Sequence, residues 1–325
     1  MHELNVESFP DFFKALWDKQ PFAWQCALVK RVLEHDESPW PEAIALPTAA
    51  GKTACMDIAV FALAAQADRL DSGQAFTAPR RIFFVVDRRV IVDEAFERSI
   101  SLSEKLRSAD SGILKEVADR LSKLAGGEDP LSCFQLRGGL YRSDNWARSP
   151  IQPIIVASTV DQVGSRLLFR AYGRNFKAWP IQAGLVGNDS LILLDEAHCS
   201  QPFLETLQAV RKYRSWAERP LSSPFHVVVM SATPPEGIHD IFRDESNEPI
   251  DPHHPLGARQ LASKPSRLIP LDEEGMGLAK QIQEKRKELK KAEGERAGRY
   301  KLSEYRRQLI ELEGKASELL AQEIV

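Results

Sequence analysis

Residues 46–53, Leu-Pro-Thr-Ala-Ala-Gly-Lys-Thr, lie between an apolar run at 42–46 and an alanine-rich run at 52–67. That order predicts a strand, a tight turn and a helix, and so commits the chain to an open sheet with helices feeding from its strands. A turn of this kind can cradle a triphosphate. The task takes inward-pointing backbone N–H groups, a helix N-terminus, one flexible cation and one hydroxyl for Mg²⁺. Pro47, Thr48, Ala49, Ala50 and Gly51 supply the backbone, with Gly51 permitting close approach. Lys52 has the reach for the β- and γ-phosphates, and Thr53 has the hydroxyl for the metal. The general pattern G-x-x-x-x-G-K-[ST] carries a glycine where this chain has Leu46. Taken alone, the stretch also fits an ordinary strand–turn–helix with a surface lysine.

A second stretch bears on the first. Leu191-Ile192-Leu193-Leu194 is a continuous apolar run, the pattern of a strand buried on both faces, and it ends in Asp195-Glu196-Ala197-His198. A carboxylate at the C-terminal end of a parallel strand lies at the crevice where open α/β sheets bind ligands. Asp195 is expected to hold Mg²⁺ and Glu196 to orient and deprotonate the attacking water, so that Lys52, Asp195 and Glu196 form the catalytic set. The same acids also fit a helix N-terminus. A third apolar run, 225–230, ends in Ser231-Ala232-Thr233-Pro234. Ser231 and Thr233 are expected to couple to His198 and relay the nucleotide state, although Ser or Thr before proline also caps helices.

These pieces in this order resemble superfamily 2 DEAH-box helicases. Gln25, with Phe22 and Trp24, precedes Gly51-Lys52-Thr53, and Asp195-Glu196-Ala197-His198 and Ser231-Ala232-Thr233 follow. In such proteins the upstream glutamine reads the adenine edge, which the resemblance assigns to Gln25. Finer matches are Phe83-Phe84-Val85-Val86-Asp87-Arg88-Arg89, Arg137-Gly138-Gly139 and Ile154-Ile155-Val156-Ala157-Ser158-Thr159-Val160-Asp161-Gln162. They resemble the N-terminal RecA-like lobe of the type I CRISPR-associated helicase–nuclease. The resemblance implies an ATP- and Mg²⁺-dependent 3′-to-5′ translocase on single-stranded DNA, recruited by a Cascade-type effector complex. It implies backbone grip through Arg88, Arg89, Arg137, Gly138, Gly139, Thr159 and Asp161. It also implies a second RecA-like lobe, with arginine fingers, and an HD nuclease domain, neither of which is found in this chain. The lobe alone is therefore expected to bind Mg-ATP weakly and hydrolyse it barely, since such an arginine is worth about 10³ to 10⁵ in rate.

Net charge is −3 over 325 residues. A general basic surface is excluded, and any DNA contact must come from a local groove. Cys26, Cys55, Cys133 and Cys199 form no Cys-x-x-Cys pair, which argues against zinc and a disulfide scaffold and for a reducing cytoplasm. No signal peptide or membrane-length apolar run occurs in the sequence.

The fold class expected is α/β: a RecA-like phosphate-loop domain with a doubly wound, mainly parallel sheet, followed by a long helical appendage. Strands are expected near 42–46, 81–87, 132–136, 153–158, 190–195 and 225–230, with helices between them. Four segments follow: 1–20, N-terminal helical; 21–248, the ATP-binding domain; 249–271, a linker; and 272–325, a long charged helix leading toward the absent second lobe. Segment 171–189 reads as irregular. His239-Asp240 reads as part of a helix after Thr233 and, with His253-His254, as no metal site. In the last segment Leu302, Tyr305, Leu309, Leu312, Ala316 and Leu319 trace one narrow apolar stripe that needs a partner.

Overall fold

A computed structural model describes residues 4–35, 38–69, 74, 76–127, 129–138, 144–197, 200–219, 221–262, 273–294 and 299–322. The chain divides into two units, Met1–Ala262 and Ser263–Val325.

The first unit is built on a seven-stranded sheet in which every pairing is parallel. Its strands are β1 (Ala43–Ala45), β2 (Arg81–Val86), β3 (Ser132–Leu136), β4 (Ile154–Thr159), β5 (Ser190–Asp195), β6 (Phe225–Ser231) and β7 (Ile241–Arg243). Their order is β3-β4-β2-β5-β6-β1-β7. The helices are α1 (Phe9–Trp17), α2 (Ala23–Glu34), α3 (Cys55–Ala65), α4 (Arg89–Arg107), α5 (Gly112–Leu124), α6 (Val160–Leu167), α7 (Trp179–Gly187), α8 (Gln201–Ser215) and α9 (Pro255–Leu261). The architecture is the expected one, and it fits a RecA-like domain.

The strands are apolar on both faces because both faces are covered. Side chains alternate along a strand, so Ile82, Phe84 and Val86 of β2 join the core beneath α1 to α5, with Leu191 and Leu193 of β5. Phe83 and Val85 join the core on the other face, with Ile192 and Leu194, against Val163 of α6, Val186 of α7 and Leu204 and Leu207 of α8. Helix α3 is buried nearly all round, between α2, α5 and the sheet, which is why it is apolar on every side. Its one carboxylate, Asp57, is fully buried and accepts from Trp17 Nε1 at 3.3 Å and from the Arg98 guanidinium of α4. Burial pushes the Asp57 carboxyl up, and the Arg98 charge opposes that push. Arg98 also lies over the Trp17 ring at 4.0 Å. The helix after the phosphate loop and the helix after β2 are thereby locked to α1.

Three sequence expectations change. Residues 171–189 contain α7, with Pro180 in its first turn; Gly184 and Gly187 masked a helix whose proline is well placed for a start. His239-Asp240 lies on no helix. It leads into β7, a three-residue edge strand too short to show a period; Asp240 pairs with Arg31, and its carbonyl accepts from Ala43 N at 3.1 Å. The stretch read as a linker from 249 carries α9, whose Leu256 is fully buried in the first unit's core.

The second unit comprises α10 (Glu273–Gly294) and α11 (Arg299–Gln322), two helices packed on each other. Arg286 and Glu313 pair across them at 2.7 Å, and Lys285 lies 5.4 Å from the Tyr305 ring. Tyr305, Leu309 and Leu312 are half-buried, so the stripe finds a partner in α10. Leu302, Ala316 and Leu319 lie outside the described side chains. Among the described residues no helix is long and apolar enough to cross a membrane.

Candidate nucleotide site

β1 delivers the chain into the loop Pro47–Gly51. Ala49 and Gly51 both take left-handed backbone, φ 66° and 77°, a turn in which successive N–H groups can face one concavity. Ala49 is an alanine held where glycine is favoured, a strain of the kind found at functional sites. Lys52 begins a short 3-10 turn that leads into α3, and its Nζ donates to the Leu46 and Pro47 carbonyls at 3.2 and 3.4 Å.

The loop is braced from behind by α2. Trp24, fully buried, donates its indole N–H to the Ala50 carbonyl at 3.1 Å. Gln25 is also buried, and its side-chain oxygen accepts the Phe22 N–H at 2.9 Å, closing the first turn of α2. A Cβ placed on Gly51 would lie 3.6 Å from both Gln25 Nε2 and the Phe22 ring. Gln25 therefore packs against the loop and does not line the cavity in front of it.

That cavity, of about 660 Å³, is lined by Thr48, Ala49, Gly51, Lys52, Thr53, Val86, Asp87, Arg88, Ile91, Glu94, Asp195, Glu196 and Arg259. Asp195 ends β5, in register with Met230 of β6. Glu196 follows with φ 52°, and its N–H donates to the Met230 carbonyl at 3.2 Å. The sheet thus places two carboxylates opposite a lysine, a threonine hydroxyl and a left-handed loop. Those donors and acceptors fit a magnesium nucleotide: cations and N–H groups for phosphate, and Thr53 with Asp195 as hard oxygen ligands for the metal. Pro47 and Ala50 build the loop without facing the cavity. Cys55, just behind it, is fully buried; burial, Asp57 and Asp195 push its thiol well above the ordinary range, which makes it inert.

Of the expected coupling set, only Ser231 and Thr233 are described. His198 lies outside the described residues. Ser231 Oγ accepts the Thr233 N–H at 3.2 Å and donates to the Thr233 carbonyl at 3.0 Å, closing its own turn. The residues expected to grip nucleic acid part company. Arg88 enters the nucleotide cavity. Arg89 covers Gly138, its guanidinium 3.2 Å from a Cβ placed there. Arg137 pairs with Asp93 at 2.7 Å. Thr159 is buried at the start of α6, while exposed Asp161 lines a separate groove with Gly164, Arg170, Tyr172 and Phe203. Gly139 lies outside the described residues.

Sequence reasoning missed Asp87, Glu94 and Arg259 as cavity residues. Asp87 was legible by the rule that found Asp195, since both follow a continuous apolar run. Glu94 sits two turns into a helix, and Arg259 carries no local signal at all.

Comparison with curated proteins found no match. Residues 18–236 match the family model described as type III restriction enzyme, res subunit. That span covers well over half of the chain and contains the phosphate loop, the Asp195-Glu196 strand end and Ser231 to Thr233. The chain belongs to this family, and its first unit is an N-terminal lobe of the superfamily 2 helicase type.

Proposed function

We propose that this chain is the ATP-binding lobe of an ATP-dependent DNA translocase of type I CRISPR interference, acting on single-stranded DNA in the cytoplasm. The observation that carries the nucleotide part is the cavity shared by the phosphate loop, Asp195 and Glu196. The DNA part rests on the resemblance carried by Arg88-Arg89, Arg137-Gly138 and the Thr159-Val160-Asp161 turn.

Bound Mg-ATP would supply a phosphoanhydride whose cleavage drives motion along DNA. Lys52 neutralises charge on the outer phosphates, and the loop N–H groups orient them. Thr53 and Asp195 would hold the metal. Glu196, exposed at the strand end, positions a water and takes its proton. A second lobe closing on this face would add arginine, and a Cascade-type effector complex would deliver the displaced strand to an HD nuclease domain. The family match favours a second reading, a restriction-type translocase.

Equilibrium binding of fluorescent ATP with Mg²⁺ tests the first step. Lys52→Ala should weaken binding by about 100-fold, and Glu196→Gln should retain it. Equal affinity of wild type and Lys52→Ala would refute the nucleotide assignment. Anisotropy with single-stranded DNA, duplex DNA and RNA separates the polymer readings. Preference for duplex would count against the single-strand reading.

A further inference from the structure

After β7 the chain does not leave the domain. Residues 244–262 fold back across the start of α2. Glu248 accepts the Ala23 N–H at 2.9 Å, its other side-chain oxygen lies 3.4 Å from His254 Nε2, and the His254 ring meets Phe22 edge-on at 5.6 Å. Phe22 is the residue whose ring approaches Gly51 of the phosphate loop. The chain then enters α9, fastened at Leu256, which is fully buried in the main core. Gly257 fixes the fit, because a Cβ there would fall 1.8 Å from the Asp251 carbonyl oxygen.

Arg259 stands three residues beyond Leu256 and lines the same cavity as Thr48, Lys52, Thr53, Asp195 and Glu196. Among the described residues it makes no hydrogen bond or ion pair, unlike Arg137, which spends its charge on Asp93. The segment lies outside the matched residues 18–236. An anchored helix thus presents a guanidinium at a phosphate cavity, among the carboxylates Asp87, Glu94, Asp195 and Glu196 that share its lining. Guanidinium is the side chain best matched to phosphate, through two parallel N–H donors.

We propose that Arg259 is a nucleotide ligand supplied in cis, gripping the polyphosphate of a nucleoside di- or triphosphate from the α9 side of the cavity. This inference rests on the nucleotide reading above. It gives the lobe a further phosphate-binding cation beside Lys52 and Arg88, held on a scaffold that also packs against α2 and so connects to the back of the phosphate loop.

The test is equilibrium binding of fluorescent ATP, ADP and adenosine to the full chain with Mg²⁺, for wild type, Arg259→Ala, Arg259→Lys and Lys52→Ala. Circular dichroism and the unfolding midpoint are followed in parallel. Because Arg259 is exposed, its variants are expected to fold as wild type does. Arg259→Ala should weaken ATP and ADP binding about 10-fold, with Arg259→Lys intermediate, as expected for loss of charge-assisted hydrogen bonds. Unlabelled tripolyphosphate should compete less well against the Ala variant, and adenosine binding should not change. ATP affinity within twofold of wild type overturns the proposal while leaving the nucleotide reading intact. So does tighter binding, which would make α9 an obstruction, and so does an equal loss for adenosine, which would make Arg259 a base contact. No Mg-ATP binding by wild type overturns the nucleotide reading itself, and the proposal with it.

Discussion

The rim formed by the strand ends contains two regions that read alike in sequence and differ in three dimensions. At the ends of β1, β2 and β5, residues from distant parts of the chain line one cavity. At the ends of β3 and β4 they do not: Arg137 goes to Asp93, Arg89 lies against Gly138, and Asp161 faces a groove beside Phe203. In the first region the sheet does the placing. A residue that ends a buried parallel strand, or sits in a loop of fixed turn geometry, has little freedom left once the register is set. In the second region the candidates are mostly long side chains on turns, and a long cation finds the nearest carboxylate. A motif is therefore worth most where backbone geometry determines where its side chains stand.

The largest effect that would break this comparison is at Lys52. Lys52→Ala should weaken Mg-ATP binding by about 100-fold, the scale of a lost charge-assisted contact, measured by fluorescence titration. Unchanged affinity would demote the first region to the standing of the second.

The opposite end of the strands sharpens the contrast, because it should carry stability without function. His226, near the start of β6, is held in the neutral form, its pKa pushed down to about 4 by burial. Its Nε2 donates to the Thr77 carbonyl at 3.1 Å, which places the proton on that nitrogen. The unfolded chain titrates near the ordinary value, about 6.5, and so binds more protons between pH 6.5 and 4. The stabilisation is complete above about pH 6.5 and is lost as pH falls toward 4, by about 2 to 3 kcal/mol. Urea midpoints at pH 5 and 7 read this slope. His226→Gln should flatten it while leaving ATP affinity at pH 7 alone.

A smaller effect is expected at Trp24. Trp24→Phe keeps the ring but strands the Ala50 carbonyl, costing about 1 to 2 kcal/mol of stability. If the bond also holds the loop in its left-handed turn, ATP affinity falls several-fold in chains that remain folded. A loss of stability with no loss of affinity would make the bond purely structural.

The smallest effect belongs to the second region. Arg137→Ala removes a partly exposed ion pair worth about 0 to 1 kcal/mol in stability. If Arg137 nonetheless contacts a strand, single-stranded DNA binding weakens and its salt dependence drops by about 0.7 in log–log slope. An unchanged slope would leave the Arg137 turn as a scaffold.

Much of the fold was legible because burial on both faces of a parallel sheet leaves a plain mark: Phe83 to Val86 and Leu191 to Leu194 are apolar without interruption. What escaped was what lacks a period. β7 is three residues long, and α7 carries Pro180, Gly184 and Gly187, so neither prints a pattern. The core of the candidate site was legible for the same reason as the fold. Lys52, Thr53, Asp195 and Glu196 sit at fixed positions relative to strand ends. Gln25 was visible as a polar residue at the start of a helix, but whether its amide faced a base or the loop depended on where Gly51 came to lie.

Local order along the chain determined the class of the protein: strand, phosphate-type loop and helix, then acids at a strand end, in a sequence of events that only an open α/β sheet can accommodate. That information is local because hydrophobic period and turn chemistry act over a few residues. Tertiary structure alone decided which charges meet. Ion pairing and cavity lining depend on separations in space between residues far apart in the chain. Arg88 and Arg259, far apart in the chain, came to face one cavity, while Arg137 was drawn to Asp93.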